Sequence, residues 1–204
     1  MLSFTVILVI LTCLISIAAF NSSKIIDDLI FWPPAISMRH QYYRFITCGF
    51  IHADFIHLLF NMVTLFFFGK GLEVLYRGEL GLQAYYYPIL YFTALIASNI
   101  PSYLKRKDDY NYRSLGASGA VCAVMFAVIL IRPWQKLFVY GIPMPSILYA
   151  GLFLAFSIYM SKRGGDNVNH DAHLWGAAYG VVFTAAVHPS VLSTFYNEMM
   201  NPRF

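Results

Sequence analysis

Four polar side chains in otherwise apolar stretches have the chemical types that acyl transfer uses. His57 and Asn61 lie in "HADFIHLLFNM", Ser118 lies in "GASGA", and His173 begins "HLWGAAYG". In acyl transfer a serine oxygen attacks a carbonyl carbon while an imidazole takes the serine proton. The carbonyl oxygen then gains a negative charge that hydrogen-bond donors must stabilise. These residue types therefore indicate a nucleophile, a base and two donors to an oxyanion.

The composition around these residues is that of a membrane protein. Hydrophobic residues make up 59% of the 204 residues, aromatic residues 18% and charged residues only 12%, which is unlike a soluble domain. Because lipid admits only helices or closed barrels and the apolar runs lack strand alternation, we predict an all-α membrane protein with six transmembrane helices. The predicted spans in this single domain, residues 1–204, are 2–22, 55–76, 81–103, 118–132, 146–161 and 172–189, with an interfacial loop at 23–54.

Topology brings the four polar residues together. Spans two, four and six must run in the same direction, and each carries its polar residues near its start. His57 and Asn61 are four residues apart and therefore share a helix face. The apolar segment from Ser118 to Ile131 is only about 21 Å long, which is shorter than the hydrocarbon core of about 30 Å. We therefore expect Ser118 to begin its helix inside the membrane, in a wet pocket.

The roles follow from the chemistry. Ser118 is the candidate nucleophile, and its backbone N–H at a helix start is a further oxyanion donor. His173 is the candidate general base, which then returns the proton to the leaving amine. Asp171 lies two residues before His173 and so on a different face of a helix, which favours a dyad over a triad. Gly176 and Gly180 have the GxxxG spacing of a close-packing face, which would bring spans four and six together with help from Gly119.

The chain resembles the rhomboid family of intramembrane serine proteases in three ordered segments, "YYRFITCGFIHADFIHLLFNM", "GASGA" and "AHLWGAAYG". The resemblance implies a six-helix rhomboid-like bundle that cleaves transmembrane segments of other proteins with a Ser118–His173 dyad. It also implies oxyanion stabilisation by His57 and Asn61. It further implies structural support by Glu73, which would brace the loop structure, and by Arg44, in the first loop. The other candidates for structural support are four glycines, Gly116, Gly119, Gly176 and Gly180.

One residue departs from the family pattern. Cys122 stands one turn after Ser118, where some members have a tyrosine that packs on the catalytic histidine. This difference concerns the orientation of the His173 ring and not the dyad itself.

Other interpretations of the same residues remain open. Ser118 could be a helix N-cap, and His57 with Asn61 an interhelical hydrogen-bonding pair. A metal site could use His52, His57, His170, Asp171 and His173, although no HExxH motif is present. A transporter would also bury polar groups, but the spans show no pair of broken helices in matching halves. An inactive rhomboid-like protein that binds transmembrane clients is the main alternative, against which stands the complete set of four site residues.

The remaining features define the expected partners and location. The net charge of +4 is scattered, so a nucleic acid is excluded as a partner, while transmembrane substrates and the bilayer are expected. The chemistry requires neither a cofactor nor a metal. His52, His170 and His188 are interpreted as interfacial and uninvolved. The resemblance implies a bacterial inner membrane with the active site opening outward, although the basic residues of the outward loops, such as Lys105 and Arg106, favour the reverse.

Overall fold

The computed structural model describes residues 3–139, 141–165 and 168–202, most of which are helical. Ten α-helices are present in this part of the chain. Their bounds are α1 Phe4–Phe20, α2 Ser23–Leu29, α3 Pro33–Arg39, α4 Arg44–Thr47, α5 Phe55–Val74, α6 Tyr86–Arg106, α7 Ser118–Ile131, α8 Ser146–Arg163, α9 His170–Val187 and α10 Ser190–Met200. A 3₁₀ turn, Cys48–Phe50, follows α4, and a π-helical segment, Leu75–Glu79, extends α5.

Each predicted span coincides with one long helix, namely α1, α5, α6, α7, α8 and α9. The helix of the third predicted span, α6, begins at Tyr86, five residues after the predicted start at residue 81. Three short helices, α2, α3 and α4, lie within the predicted interfacial loop, and a hairpin and one further helix lie outside the predicted scheme. An antiparallel hairpin of β1 Lys136–Val139 and β2 Ile142–Pro145 separates α7 from α8, and α10 follows α9.

The length and composition of the helices support fewer spans than six. Within the described residues, α5 with its π-helical extension, Phe55–Glu79, is long and apolar enough by itself to cross a membrane. Helices α9 and α10 pass the same test only as a pair, and a bend of 115° separates them. Helices α1 and α7 are apolar but have only 17 and 14 residues. The count of six spans therefore stays a prediction.

Helix α7 is the central helix of the bundle. All of its residues from Gly119 to Ile131 are buried, as expected for a helix that is apolar on every side and therefore needs neighbours all round. The beginning of α5 lies near the beginning of α7, because the His57 ring packs on Gly116. The end of α5 lies near the end of α9, because the hydroxyls of Tyr76 and Thr184 are 2.7 Å apart. Helices α5 and α9 therefore run in the same direction, as expected.

The two charged residues assigned to structural support lie at opposite ends of the bundle. The Glu73 carboxylate accepts hydrogen bonds from the Thr5 N–H at 2.7 Å, the Thr5 hydroxyl at 3.1 Å and the Ser3 hydroxyl at 3.0 Å. It therefore holds the beginning of α1, whereas the resemblance implied that it braces a loop. Arg44 is 4% exposed and donates from Nη1 to the carbonyl oxygens of Asp27 and Ile30, both at 2.8 Å, so it organises the interfacial loop.

Candidate active site

Helices α7 and α9 touch through their backbones at two glycines of α9. A Cβ added to Gly176 would overlap the Gly119 carbonyl oxygen and lie 3.1 Å from the Gly119 Cα. A Cβ added to Gly180 would likewise overlap the backbone of Ala123, at 2.7 Å from its Cα. Each pair has the same separation in sequence, so the two helices run parallel and in register.

This register brings Ser118 and His173 to the same end of one seam. Cys122 and Ala177 belong to one buried apolar cluster between the helices. Ser118 precedes Cys122 by four residues and His173 precedes Ala177 by four, which is about one helical turn in each case. The two candidate side chains therefore stand one turn above two residues of the same buried cluster. Both are half-buried.

Two aromatic rings contact the His173 imidazole. The Phe153 ring of α8 lies 5.9 Å from it, centroid to centroid, with an interplanar angle of 33°. The His170 ring lies 5.6 Å away in an edge-on arrangement. Cys122 is 5% exposed and is buried in the apolar cluster against which Phe153 also packs. An aromatic side chain thus packs on His173 from α8 and not from the helix of Ser118.

A cavity of about 870 Å³ opens beside Ser118. His57, Gly116 and Gly119 also line it, together with residues of the loops that precede α7 and α9. Among the described residues, His173 and Asn61 are not part of its lining. The volume is sufficient for an extended peptide segment and water, because small-molecule sites span roughly 300–1,000 Å³.

The loop that leads to Ser118 is held by backbone hydrogen bonds to the interfacial loop. Phe31 and Ser114 exchange two such bonds, each of 3.0 Å, and the Gly116 N–H donates to the Cys48 carbonyl at 2.9 Å. Gly116 has a φ of +113°, a conformation that glycine adopts without a steric cost. These bonds provide partners for backbone N–H and C=O groups of an irregular segment next to the buried helix α7, and buried backbone groups require such partners.

His57 and Asn61 occupy adjacent turns of α5 on the Ser118 side. The His57 ring packs against Gly116, where an added Cβ would lie 2.7 Å from the His57 Cε1. Asn61 is 7% exposed, and its Nδ2 donates to the His57 carbonyl at 2.9 Å. An amide nitrogen carries two hydrogens, so Asn61 retains a second donor. The Asp54 carboxylate caps this helix by accepting from the His57 N–H at 2.7 Å.

The interpretation of His52 as an interfacial side chain without contact to the site is wrong. His52 is 1% exposed, and the Ala117 N–H donates to its Nε2 at 3.3 Å. Because Nε2 accepts, Nδ1 carries the proton and donates to the Ser16 hydroxyl at 2.9 Å, which in turn donates to the Phe50 carbonyl at 2.9 Å. Burial, with a smaller contribution from nearby His57, lowers the pKa of His52 to about 3. A neutral imidazole therefore holds the residue that precedes Ser118.

His170, His188 and Asp171 have different surroundings. His170 is 5% exposed and is therefore buried in the protein, whereas the His188 Nδ1 lies 3.0 Å from the Ser190 hydroxyl at the far end of α9. Asp171 is hydrogen-bonded to Ser161 and lies 3.9 Å from the Lys105 ammonium. No group of three His, Cys, Asp or Glu side chains suited to a metal ion is found within residues 3–139, 141–165 and 168–202.

Sequence reasoning missed three polar residues of α6, although their place in an apolar run was a usable signal. Ser98 is fully buried, and an added Cβ on Gly119 would lie 2.7 Å from its Cβ. Ser98 and Asn99 line the cavity. Ser102 follows Ser98 by one helical turn and bonds to Asn169, whose Nδ2 lies 3.2 Å from the Ser102 hydroxyl. Helix α6 therefore adds a polar wall beside Ser118.

Comparisons with known proteins identify one family. A model of the rhomboid domain matches residues 39–190. The chain is 31% identical over 155 residues to RHOMBOID-like protein 12, mitochondrial, of Arabidopsis thaliana, which covers 70% of this chain and 45% of the relative. It is 35% identical over 157 residues to Rhomboid-like protein 11, chloroplastic, of the same plant, covering 69% and 51%.

A bacterial protein is similar to this chain to about the same degree. The putative rhomboid protease YdcA of Bacillus subtilis is 31% identical over 144 residues, with 71% of this chain and 66% of the relative covered. The matched regions thus span between 45% and 66% of these three relatives. The expected bacterial inner membrane has no support here, because two of the three are named as organellar proteins.

Proposed function

Because the chain belongs to the rhomboid family, whose members are integral membrane proteins, we propose that it is an intramembrane serine endopeptidase. The observation that carries the proposal is the α7–α9 seam of backbone contacts, at whose end Ser118 and His173 stand one turn above Cys122 and Ala177, two residues of one buried cluster. The large cavity beside Ser118 supports it further.

Acylation uses the two side chains at the end of the seam. The Ser118 hydroxyl oxygen attacks the carbonyl carbon of the scissile peptide bond, and His173 takes the hydroxyl proton. When the tetrahedral intermediate collapses, the C–N bond breaks and His173 gives that proton to the leaving amine. The amine product departs, and the acyl group remains bound to Ser118 as an ester.

The oxyanion of the intermediate faces donors from two elements. These are the backbone N–H of Ser118 at the start of α7, the His57 ring and the second amide hydrogen of Asn61. Donors held in a fixed geometry stabilise the charge as it develops, and loss of one such donor commonly costs about 10²–10³-fold in kcat. The packing of His57 on Gly116 supports this role, because it holds the ring two residues from the nucleophile.

Deacylation repeats the proton transfers with water. A water molecule from the cavity attacks the ester carbonyl while His173 takes its proton, and the proton returns to the Ser118 oxygen as the acid product leaves. The polar side chains of α6 in the cavity wall, Ser98 and Asn99, support the retention of water there.

The substrates we propose are transmembrane segments of other proteins. Peptide bonds within an intact helix are hydrogen-bonded and shielded, so the substrate must unwind locally before attack. Segments with Gly, Pro or Ser near the membrane surface suit this requirement, since Gly and Pro are poor helix formers. The resemblance adds a preference for a small residue just before the cleaved bond.

The proposal includes six membrane crossings by α1, α5, α6, α7, α8 and α9. The site end of the bundle, where α5, α7 and α9 begin, then opens on the side opposite the N-terminus of α1. Family likeness favours a cytoplasmic N-terminus, whereas the basic loop between Lys105 and Arg113 favours the reverse. Labelling single cysteines in this loop with a membrane-impermeant reagent on intact cells tests the orientation.

A fluorophosphonate probe tests the nucleophile without knowledge of the substrate. We expect the purified protein to be labelled and Ser118→Ala to lose the label. Ser114→Ala, a change in the same cavity, is the matched control and should keep it. Absence of labelling in the parent, together with no cleavage of a model transmembrane substrate, would favour the non-catalytic alternative of client binding.

A further inference from the structure

Helix α10 leaves the bundle at the end opposite the candidate active site. It begins at Ser190, directly after the His188–Pro189 elbow, and its axis is bent by 115° from that of α9. Its 11 residues extend about 16 Å, roughly half of the hydrocarbon core. When α9 crosses the bilayer, a bend of this size directs α10 closer to the plane of the bilayer than to the bilayer normal.

The side chains of α10 divide into three faces at 100° per residue. Val191 is 1% exposed and packs with Phe195 against the main core. A second face is apolar and exposed, with Leu192 at 50%, Tyr196 at 63% and Met200 at 62%. The third face is polar and exposed, and it consists of Ser190, Ser193, Thr194 and Asn197. This is the pattern of a helix that lies at a boundary between an apolar and an aqueous phase.

We propose that α10 lies in the headgroup region of the bilayer, with its Leu192–Tyr196–Met200 face in contact with lipid and its polar face in water. The inference goes beyond peptidase activity, although it rests on α9 crossing the membrane. Trp134 holds the helix in place, because its indole N–H donates to the Glu198 carbonyl at 2.7 Å.

An exposed apolar stripe on α9 leads toward the apolar face of α10. Trp175, Ala178, Val182 and Ala186 are exposed at the three- and four-residue spacing of one helix face, and Val182 is 64% exposed. In an integral membrane protein this stripe faces lipid. Ala186 ends the stripe four residues before α10 begins, so the apolar face of α10 extends a lipid-facing surface past the elbow.

A second protein copy is a poorer occupant than lipid. A helix face about 16 Å long and about 10 Å wide offers on the order of 160 Å², whereas stable protein interfaces bury roughly 800 Å² per partner. The one charged residue of α10 is Glu198, which is half-buried, and the exposed positions of the helix carry no charge. The expected contact is therefore with the headgroup and acyl boundary of any bilayer, without a requirement for anionic lipid.

Nitroxide labels on single cysteines test the placement in the intact protein. The parent carries Cys13→Ala, which leaves two cysteines that are 1% and 5% exposed. The labelled positions are L192C and Y196C on the apolar face, S193C and N197C on the polar face, and V182C on α9 as the lipid reference. Each protein is reconstituted in phosphatidylcholine vesicles, with and without phosphatidylglycerol. Collision rates are measured with oxygen, which concentrates in lipid, and with a nickel chelate, which stays in water.

We expect the oxygen-to-nickel collision ratio to be severalfold higher for L192C and Y196C than for S193C and N197C, in both lipid mixtures. Equal nickel access at all four positions would overturn the inference, since α10 would then stand in water. Protection of all four to the level of V182C would also overturn it, because α10 would then lie in the hydrocarbon core. Shielding of L192C and Y196C from both reagents would instead indicate a protein partner and reject the lipid contact. Nickel access at V182C would refute the crossing by α9, a failure separate from that of α10.

Discussion

Gly176 packs directly against the backbone of Gly119, with space for a hydrogen but not for a methyl group at its Cα. This contact sets the distance between α7 and α9, and therefore the separation of Ser118 and His173, which lie within three residues of it. The same two helices touch again one turn later, at Gly180 and Ala123. The candidate dyad thus depends on glycine at positions 176 and 180, where a side chain would push α7 and α9 apart.

Gly176→Val should separate α7 from α9 and reduce both stability and peptidase activity. Overpacking of a close contact costs about 1–3 kcal/mol, and here the obstacle is backbone, which cannot rotate away. Thermal unfolding in detergent and cleavage of a model substrate measure the two effects. Gly151→Ala is the control, because an added Cβ at that helical position in α8 meets nothing within 4 Å. Equal tolerance of the two changes would contradict the tight seam.

His57→Ala and Asn61→Ala should each lower kcat by about 10²-fold, with a smaller change in KM, because an oxyanion donor acts mainly in the transition state. Fluorophosphonate labelling at Ser118 should also slow, since the probe likewise develops charge on an oxygen. His188→Ala, at the far end of α9, is the control and should retain activity. A change in KM alone would assign the two residues to substrate binding.

His52→Ala should destabilise the protein, because the Ala117 N–H loses its partner while the Ser16 hydroxyl keeps only its bond to the Phe50 carbonyl. The Ala117 N–H donates to the His52 ring, and a buried group left without a partner costs about 1–3 kcal/mol. Ser16→Ala should also destabilise, since it removes the partner of the His52 Nδ1 and of the Phe50 carbonyl, but it leaves Nε2 with Ala117. The free energy of unfolding from a reversible denaturation in mixed micelles measures the difference. If His52→Ala and Ser16→Ala both match the parent, the network does not support the loop before Ser118.

Stability should also depend on pH through His52. In the folded protein its pKa is lowered to about 3, while the unfolded chain has the ordinary value of about 6.5. Between these values the unfolded state binds more protons, so stability falls as pH decreases from about 6.5 toward 3. His57 and Asp54 are the charged or titratable neighbours that act on it. His52→Asn should show a shallower loss of melting temperature between pH 6.5 and 5 than the parent, and an unchanged slope would refute this assignment.

The α-helical class and the candidate residues could be predicted because they depend on local patterns. Ser118 and His173 stood out as polar types at the starts of apolar runs, and Gly176 and Gly180 as a close-packing pair. The parallel arrangement of α7 and α9 followed from the count of crossings between them. The hairpin and α10 were not predicted, since the loop after span four and the residues beyond the last predicted span, 172–189, carried no assigned element.

The role of His52 could not be predicted from the spacing of residues along the sequence. Its partners, Ser16 and Ala117, lie 36 and 65 positions away in the sequence, and only folding brings three separate segments to one ring. Ser98 had a local signal, a hydroxyl within an apolar run, but its contact with Gly119 depends on how closely α6 approaches α7.

By itself the sequence determined which chemical groups are available and which helices carry them, because helix formation and burial in an apolar phase depend on short-range pattern. Only the tertiary structure decided that the α7–α9 seam ends at Ser118 and His173, that a buried neutral imidazole holds the residue before the nucleophile, and that the chain turns sharply into α10. Each of these depends on distances between segments far apart in the chain, which are set by the packing of side chains and backbone against one another.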